Sequence, residues 1–248
     1  MSEPAKLSVL GVIPARLQSH RLPRKVLRDI AGVPLLVRVY EAARRSPHLT
    51  DLLVATDSRE VVDVCAARDI PAILTAATHQ SGTDRVWEVA QGRVADVYVN
   101  IQGDEPLITP GHVEGLVTPF LVSRETQVTT LKIRATDAEI DNPNSPKVVC
   151  SASGQALYFS RLAIPYDRDG VGAVRYKHLG LYAYRKSALD RFHALPPSML
   201  ERVERLEQLR FLEHDIPITV VETDEPTIGV DTEDDIRAVE AWLASHPQ

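Results

Sequence analysis

The sequence predicts an α/β protein, one large domain carrying a smaller subdomain, and three features predict it. At 248 residues the chain can bury a sizeable core without splitting into two independent domains. Its first half alternates short apolar runs with amphipathic segments, as βαβ units on a mainly parallel sheet require. From Gln127 the texture changes to strand-like runs separated by Asn, Gly and Pro, which suits antiparallel or mixed pairing and marks an inserted subdomain.

In order along the chain, Lys6 to Ile13 reads as a buried strand whose ladder Pro14 ends. Pro34 to Arg45 reads as a helix with Leu35, Leu36, Val39, Ala42 and Ala43 on one face. Asp51 to Thr56 is a second strand, and Arg59 to Arg68 a helix burying Val61, Val62, Val64 and Cys65. A short strand at Ala72 to Leu74, a helix from Ser81 to Gly92, a central strand at Val97 to Ile101 and a helix from Pro110 to Val122 complete the first half. In the second half strands are expected at Val128 to Ile133, Lys147 to Cys150, Ala156 to Phe159 and Arg175 to Tyr184. One helix, Met199 to Glu213, is expected to bury Leu200, Val203, Leu206, Leu209 and Leu212. A strand covers Ile218 to Val221, and Thr232 to Ala244 closes the chain as a helix capped by Asp231 or Thr232.

Composition narrows the functional classes. Hydrophobic content of 44% and charged content of 25% are ordinary for a globular protein, and the net charge of −6 argues against general affinity for nucleic acid or an anionic membrane. Cys65 and Cys150 stand far apart without CxxC or Cys/His ligand spacing, so reduced thiols, no disulfide and no zinc are expected. The apolar run before Pro14 and Arg16 is too short for a signal segment, and no later run reaches transmembrane length. The expectation is a cytoplasmic protein.

Against that acidic background, Arg16, Arg21, Arg24 and Lys25 crowd the connection after the first strand. That connection lies at the carboxyl edge of a parallel sheet, where ligands of open α/β sheets bind. Crowded cations repel one another unless they splay into solvent or meet an anion, and arginine matches phosphate oxygens two at a time. A solvated basic loop and a polyanion site are both open readings, since neither the Walker nor the dinucleotide glycine pattern is present.

Asp104, in Gly-Asp-Glu-Pro after the central strand, is placed to hold Mg²⁺ against phosphate oxygens, or else belongs to an ordinary turn. Asp231 is either its partner ligand or a helix cap, while Asp234 and Asp235 read as first-turn residues facing the helix dipole. Gln80, Ser81, Gly82 and Arg85 offer backbone N–H groups at a helix start and another arginine, which suits a nucleotide or a plainly capped helix. His178, Tyr182, Glu207 and Gln208 read on their own as structural or solvated residues. Arg161 and Arg168 bracket an Ile-Pro-Tyr-Asp turn and either neutralise a carboxylate or form surface ion pairs.

Taken together, the residues resemble a known family. The ordered set is Ile-Pro-Ala-Arg (13 to 16), Arg-Leu-Pro-x-Lys (21 to 25), Ala-Thr-Asp (55 to 57), His-Gln-Ser-Gly-Thr-Asp-Arg (79 to 85), Asn-Ile-Gln-Gly-Asp-Glu-Pro (100 to 106) and Asn-Pro-Asn-Ser-Pro-Lys-Val-Val (142 to 149). It continues with Tyr-Phe-Ser-Arg (158 to 161), Ile-Pro-Tyr-Asp-Arg-Asp (164 to 169), Lys-His-Leu-Gly-Leu-Tyr-Ala-Tyr-Arg (177 to 185), Leu-Glu-Gln-Leu-Arg (206 to 210) and Gly-Val-Asp-Thr (229 to 232). Each is weak alone, but their order and near-continuous spacing resemble the 3-deoxy-manno-octulosonate (Kdo) cytidylyltransferases, the CMP-Kdo synthetases of lipopolysaccharide biosynthesis.

The resemblance implies a nucleotide-diphospho-sugar transferase fold, a Rossmann-like three-layer α/β sandwich with a mixed sheet. It also implies a small dimerisation subdomain at about 150–190, a homodimer, and the reaction of CTP with Kdo to give CMP-Kdo and pyrophosphate. Arg16, Arg21 and Lys25 would hold the triphosphate, with Arg16, Lys25 and Asp104 catalytic, and Gln80, Ser81, Gly82 and Arg85 would help to place the cytidine. Asp104 and Asp231 would bind Mg²⁺. Gln102, Arg161, His178, Tyr182, Glu207 and Gln208 would line the sugar-acid pocket, with Arg168 a weaker candidate. An 8-amino-Kdo or a nonulosonic acid is the alternative acceptor. One departure stands out: the family's usual glycine in the basic loop is Arg24 here, so either φ is ordinary at that position or a further cation lies over the pyrophosphate.

Overall fold

A computed structural model describes residues 7–19 and 21–246. The elements run β1 (Val9–Ala15), a 3-10 turn (Lys25–Leu27), β2 (Asp29–Ile30), β3 (Val33–Pro34), α1 (Leu35–Ala43), β4 (Asp51–Thr56), α2 (Arg59–Ala66), β5 (Ala72–Leu74), α3 (Gly82–Gly92), β6 (Val97–Asn100) and α4 (Pro110–Val122). They continue with β7 (Val128–Arg134), α5 (Asp137–Ile140), β8 (Lys147–Cys150), β9 (Ala156–Ser160), β10 (Tyr176–Tyr184), α6 (Lys186–Ala194), α7 (Met199–Glu204), α8 (Leu209–Glu213), β11 (Ile218–Glu222) and α9 (Glu233–Ser245). Two compact units divide the chain within α4: one runs up to Glu114 and resumes from Pro226, the other is Gly115–Glu225.

In the first unit, β1 pairs in parallel with β4 on one side and β6 on the other, and β4 pairs in parallel with β5. Strands buried on both faces must be apolar throughout, and Val9, Leu10, Val12, Ile13, Leu53, Val54, Val97 and Val99 are all buried. The chain moves outward from β1 through β4 to β5, then returns to β1's other edge as β6. That reversal opens a crevice at the carboxyl ends of β1 and β6, the position where such sheets bind ligands.

Pro14 does not end the ladder as expected. β1 continues through it to Ala15, with Pro14 opposite Ala55 and Ala15 opposite Thr56. The Val12 carbonyl accepts from Ile101 N on the β6 side, and backbone groups in a strand alternate sides, so Pro14's missing donor also faces β6. Pairing there stops at Val12 and Asn100, and no bond is lost. Lys6, the predicted start of this strand, lies outside the described residues.

The second unit is mixed, as the change in texture implies. β7 pairs antiparallel with β10 and parallel with β11; β8 pairs antiparallel with both β10 and β9. An aromatic run from Phe159 through His178, Tyr182, Tyr184 and Phe211 to Phe192 fills its core, with neighbouring ring centroids 4.8–5.9 Å apart. Phe192 comes from α6, a helix the sequence reading passed over although Ala188, Leu189 and Phe192 form its buried face.

The helix predicted over Met199 to Glu213 is two short helices. α7 begins with a Ser198–Glu201 capping box and stops at Arg205, which is left-handed at φ 53. Arg161 supplies the reason. Its Nε donates to the Glu204 carbonyl at 2.7 Å and Nη2 to the Arg205 carbonyl at 3.2 Å, occupying helix-end acceptors that a further turn would otherwise satisfy. Val203 of the expected apolar stripe is 74% exposed, while Leu206 and Leu209 beyond the break are buried.

Candidate active site

The first unit gathers its charged residues around a groove lined by Pro14, Arg16, Gln18, Ser19, Lys25, Val26, Gly82, Gln102, Gly103 and Asp104. The 3-10 turn after the basic loop directs Lys25 inward, leaving its side chain 13% exposed. Its Nζ donates to Asp104 Oδ2 at 2.6 Å and to Asp231 Oδ1 at 2.9 Å. Arg21 Nη2 reaches the other Asp231 oxygen at 2.9 Å. Burial alone would lower the Lys25 pKa, but the Asp104 and Asp231 carboxylates outweigh it and hold it above its ordinary value.

Backbone contacts fix this arrangement. Val230 N donates to the Asp104 carbonyl at 2.8 Å, joining the loop after β6 to the entrance of α9. Gly103 permits the approach of that loop to β1, because a Cβ there would lie 2.7 Å from the Pro14 carbonyl oxygen. Of the two expected caps for α9, Thr232 is the one used: it forms a capping box with Asp235, and the Asp231 side chain turns instead to Lys25 and Arg21.

Asp104 and Asp231 both face the Lys25 ammonium, so the two carboxylates make a locally anionic pair. Among the described residues there is no group of three or more His, Cys, Asp or Glu side chains able to hold a metal. A hard cation that keeps water and substrate oxygens in its shell, such as Mg²⁺, needs only one or two carboxylates, and two aspartates are compatible with that requirement, whereas a structural zinc site takes four ligands.

Arg16 Nη2 donates to the Gln80 carbonyl at 2.6 Å and ties the basic loop to the segment before α3. Ser81 caps α3 by accepting from Asp84 N, and Gly82 lines the groove directly. Arg85, expected to help place the nucleotide, is fully buried and pairs with Thr75 and, at 3.1 Å, with Asp57. Its desolvated guanidinium braces those two side chains and does not face the groove. Sequence reasoning passed over Gln18 and Ser19, which line the groove inside a loop read only for its cations. It also passed over Asn100, fully buried at the end of β6 with neither amide atom hydrogen-bonded to a described residue.

Arg24 resolves the departure in the basic loop. Its φ is 56°, so the left-handed conformation is kept despite the side chain, and the reading of an ordinary φ is wrong. Its guanidinium pairs with Glu60 of α2. An L-residue pays about 1–2 kcal/mol in this region, against about 0–1 for an exposed ion pair and about 0.4–1 for glycine's extra unfolded freedom. Arg24→Gly is therefore expected to stay within about 1 kcal/mol of the parent in urea unfolding, with kcat/KM for CTP within about threefold. A larger kinetic loss would mean that Arg24 does reach the phosphates.

The remaining candidates lie in the second unit. His178 and Tyr182 of β10 are buried, with Tyr182's hydroxyl 2.9 Å from His178 Nε2. Arg161 is anchored more firmly than expected: besides its bonds at the α7 end, Nη1 donates to the Pro143 carbonyl at 2.8 Å. Glu204, unremarked in the sequence, accepts from Ser160 Oγ at 2.8 Å and Arg161 N at 3.0 Å. Glu207 and Gln208 both sit in the break between α7 and α8 that this clamp creates. Gln208 is buried, and its Nε2 has no hydrogen-bond partner among the described residues. Arg168 is exposed on the loop before β10. Arg161→Ala is expected to cost about 1–3 kcal/mol by orphaning carbonyls, and denaturant unfolding checks it; an unchanged midpoint would dismiss the clamp.

The cytidylyltransferase family model matches residues 10–218. A 3-deoxy-manno-octulosonate cytidylyltransferase of Acidobacterium capsulatum is 59% identical over 240 residues, 96% of this chain and 98% of that protein. The protein of the same name from Koribacter versatilis is 55% identical, covering 98% and 93%. Among solved structures, a CMP:2-keto-3-deoxy-manno-octonic acid synthetase complexed with CTP matches with a TM-score of 0.92 and 42% identity, covering 96% of this chain and 99% of that one. The α/β architecture expected from the sequence is the one this synthetase has, and the chain belongs to the 3-deoxy-manno-octulosonate cytidylyltransferase family.

Proposed function

We propose that this chain transfers CMP from CTP to Kdo, releasing pyrophosphate, and so supplies the activated sugar for lipopolysaccharide biosynthesis. The observation that carries the reading is the meeting of Lys25, Asp104 and Asp231 at the crevice between β1 and β6, from positions up to 206 residues apart. A triphosphate needs cations, and a nucleotidyl transfer needs them where charge develops.

In this reading the anomeric 2-hydroxyl of Kdo attacks the α-phosphorus in line with the departing pyrophosphate. Lys25, Arg16 and Arg21 neutralise the triphosphate, and Lys25 follows the negative charge onto the leaving oxygen. Gln80, Ser81 and Gly82 orient the nucleotide at the start of α3, with Arg85 bracing from beneath. Asp104 and Asp231 would hold Mg²⁺, which when bound neutralises phosphate oxygens and lowers the pKa of a coordinated hydroxyl. Gln102, Arg161, His178, Tyr182, Glu207 and Gln208 contact the sugar acid. The unpartnered Gln208 Nε2 supports this assignment, since a buried donor is costly until a ligand or water accepts from it.

The protein would work in the cytoplasm, where CTP is made available; no helix among the described residues is long and apolar enough to cross a membrane. A homodimer is the proposed assembly. Leu157, Leu162, Tyr166 and Val171 are 61–84% exposed on β9 and the loop that follows, the segment assigned to dimerisation. Pyrophosphate release with Mg²⁺, run across the four nucleoside triphosphates and a panel of sugar acids, tests the function. Turnover with CTP and Kdo is expected. No release with CTP and any acid would sink the enzymatic reading, and turnover with only an amino-sugar or nine-carbon acid would sink the Kdo assignment.

A further inference from the structure

The Nε2 atom of the buried His178 imidazole lies between two hydroxyl groups. Its Nε2 lies 3.0 Å from the Thr130 hydroxyl and 2.9 Å from the Tyr182 hydroxyl. Thr130 Oγ1 also lies 2.8 Å from the Leu181 carbonyl and 3.2 Å from the Leu179 carbonyl, and neither carbonyl has a proton to give. The Leu181 carbonyl is the nearest of the three acceptors, and a proton given to it leaves the Thr130 oxygen facing Nε2 as an acceptor.

A neutral imidazole nitrogen carries either a proton or one in-plane lone pair. If Nε2 were bare, its lone pair would confront that of Thr130 at 3.0 Å, and only Tyr182 would be able to donate to it. With the proton on Nε2, both oxygens accept from one N–H and no repulsive contact remains. The bulge in β10 makes this geometry possible. Leu179 stands opposite Leu131 and Tyr182 opposite Thr130, so Gly180 and Leu181 are extra residues in the strand, and the Leu179 and Leu181 carbonyls both come within reach of Thr130. Phe159 stands edge-on to the ring at 4.9 Å and 76°, restricting its rotation. Burial pushes the His178 pKa down to about 3, so the ring is neutral near pH 7.

We infer that Thr130 is a positioning residue that holds His178 as the Nε2–H tautomer, so that Nδ1 presents a hydrogen-bond acceptor to a hydroxyl of the sugar acid. Nδ1 makes no hydrogen bond to any described residue. The consequence is selectivity: an acid carrying a donor at the facing carbon is accepted, and the same acid with an ether or a deoxy carbon there is not. This deepens the reading of His178 as a sugar-acid residue and rests on it.

The test is two-bond ¹⁵N–¹H correlation of the imidazoles in the intact free protein, together with steady-state kinetics, for wild type, Thr130→Val and Thr130→Ser. Wild type is expected to show His178 Nε2 protonated and Nδ1 bare. Thr130→Val frees Nε2 to accept from Tyr182, so its ring is expected to move toward Nδ1–H, and KM for Kdo to rise about tenfold, the scale of one hydrogen bond, with KM for CTP unchanged. Thr130→Ser keeps the hydroxyl and should restore both readings. An Nδ1-protonated wild-type ring, a valine variant with the wild-type tautomer, or a changed tautomer with an unchanged KM for Kdo would each overturn the inference. Failure of wild type to release pyrophosphate with any acid would instead bring down the functional reading, and the spectrum of the free protein distinguishes that failure from the others.

Discussion

Lys25→Met should lower kcat/KM for CTP by about 10²–10³-fold, the loss that follows removal of one preorganised charge from a developing oxyanion. Methionine keeps most of the side chain's length and apolar stem and loses the ammonium on which Asp104 and Asp231 converge. The loss should fall mainly on kcat if, as proposed, Arg16 and Arg21 bind the ground-state triphosphate and Lys25 is the cation that stabilises the leaving oxygen. The two carboxylates are left without their shared cation. Added Mg²⁺ should therefore raise the Tm of Lys25→Met more than that of the parent, an effect of ligand binding to the native state. The parent is protected differently: with a folded pKa above the ordinary 10.5, Lys25 contributes its full stabilisation at neutral pH and loses it only as pH rises through the folded value. A variant with near-normal kcat would remove Lys25 from the chemistry, whatever its effect on Tm.

Asp104→Asn is the second large effect. The amide preserves shape and removes the negative charge, and the side chain is 32% exposed, so the substitution is expected to spare the fold. Turnover should fall by about 10²–10³-fold or more, on the scale of a lost metal ligand or oxyanion partner, and KM for CTP should change little. Excess Mg²⁺ should restore part of the rate if the carboxylate's task is to hold the ion. Near-normal pyrophosphate release would take Asp104 out of the site altogether.

Much of this was legible in the sequence because it depended on local chemistry. β4, β5, β8 and α4 fall where apolar runs and turn residues put them, since a strand buried on both faces tolerates few polar residues. The basic loop and Asp104 were legible for a related reason: both follow strands and end at the sheet edge where parallel sheets bind ligands. What stayed hidden depended on partners distant in the chain. Asp231 and Thr232 are equally good caps on paper, and Lys25, 206 residues away, decides that Asp231 is not the one used. The stripe from Leu200 to Leu212 has a helical period, and only Arg161, approaching from β9, shows where it breaks. Likewise φ at Arg24 cannot be read from its residue type, because arginine argues against the conformation that the loop imposes. Arg85 looked like a nucleotide ligand for its charge and place in a motif; its enclosure by Thr75 and Asp57 comes from packing.

In the proposed reaction phosphorus passes from CTP to a sugar acid at a site where Asp104 and Asp231 would hold Mg²⁺. The most direct measurement is ³¹P NMR of the protein with equimolar CTP and Kdo, first in EDTA and then after Mg²⁺ is added. No change is expected in EDTA, followed on addition of Mg²⁺ by a CMP-sugar phosphodiester and pyrophosphate in equal amounts. Orthophosphate in place of pyrophosphate, or a phosphodiester that forms as quickly in EDTA, would contradict it.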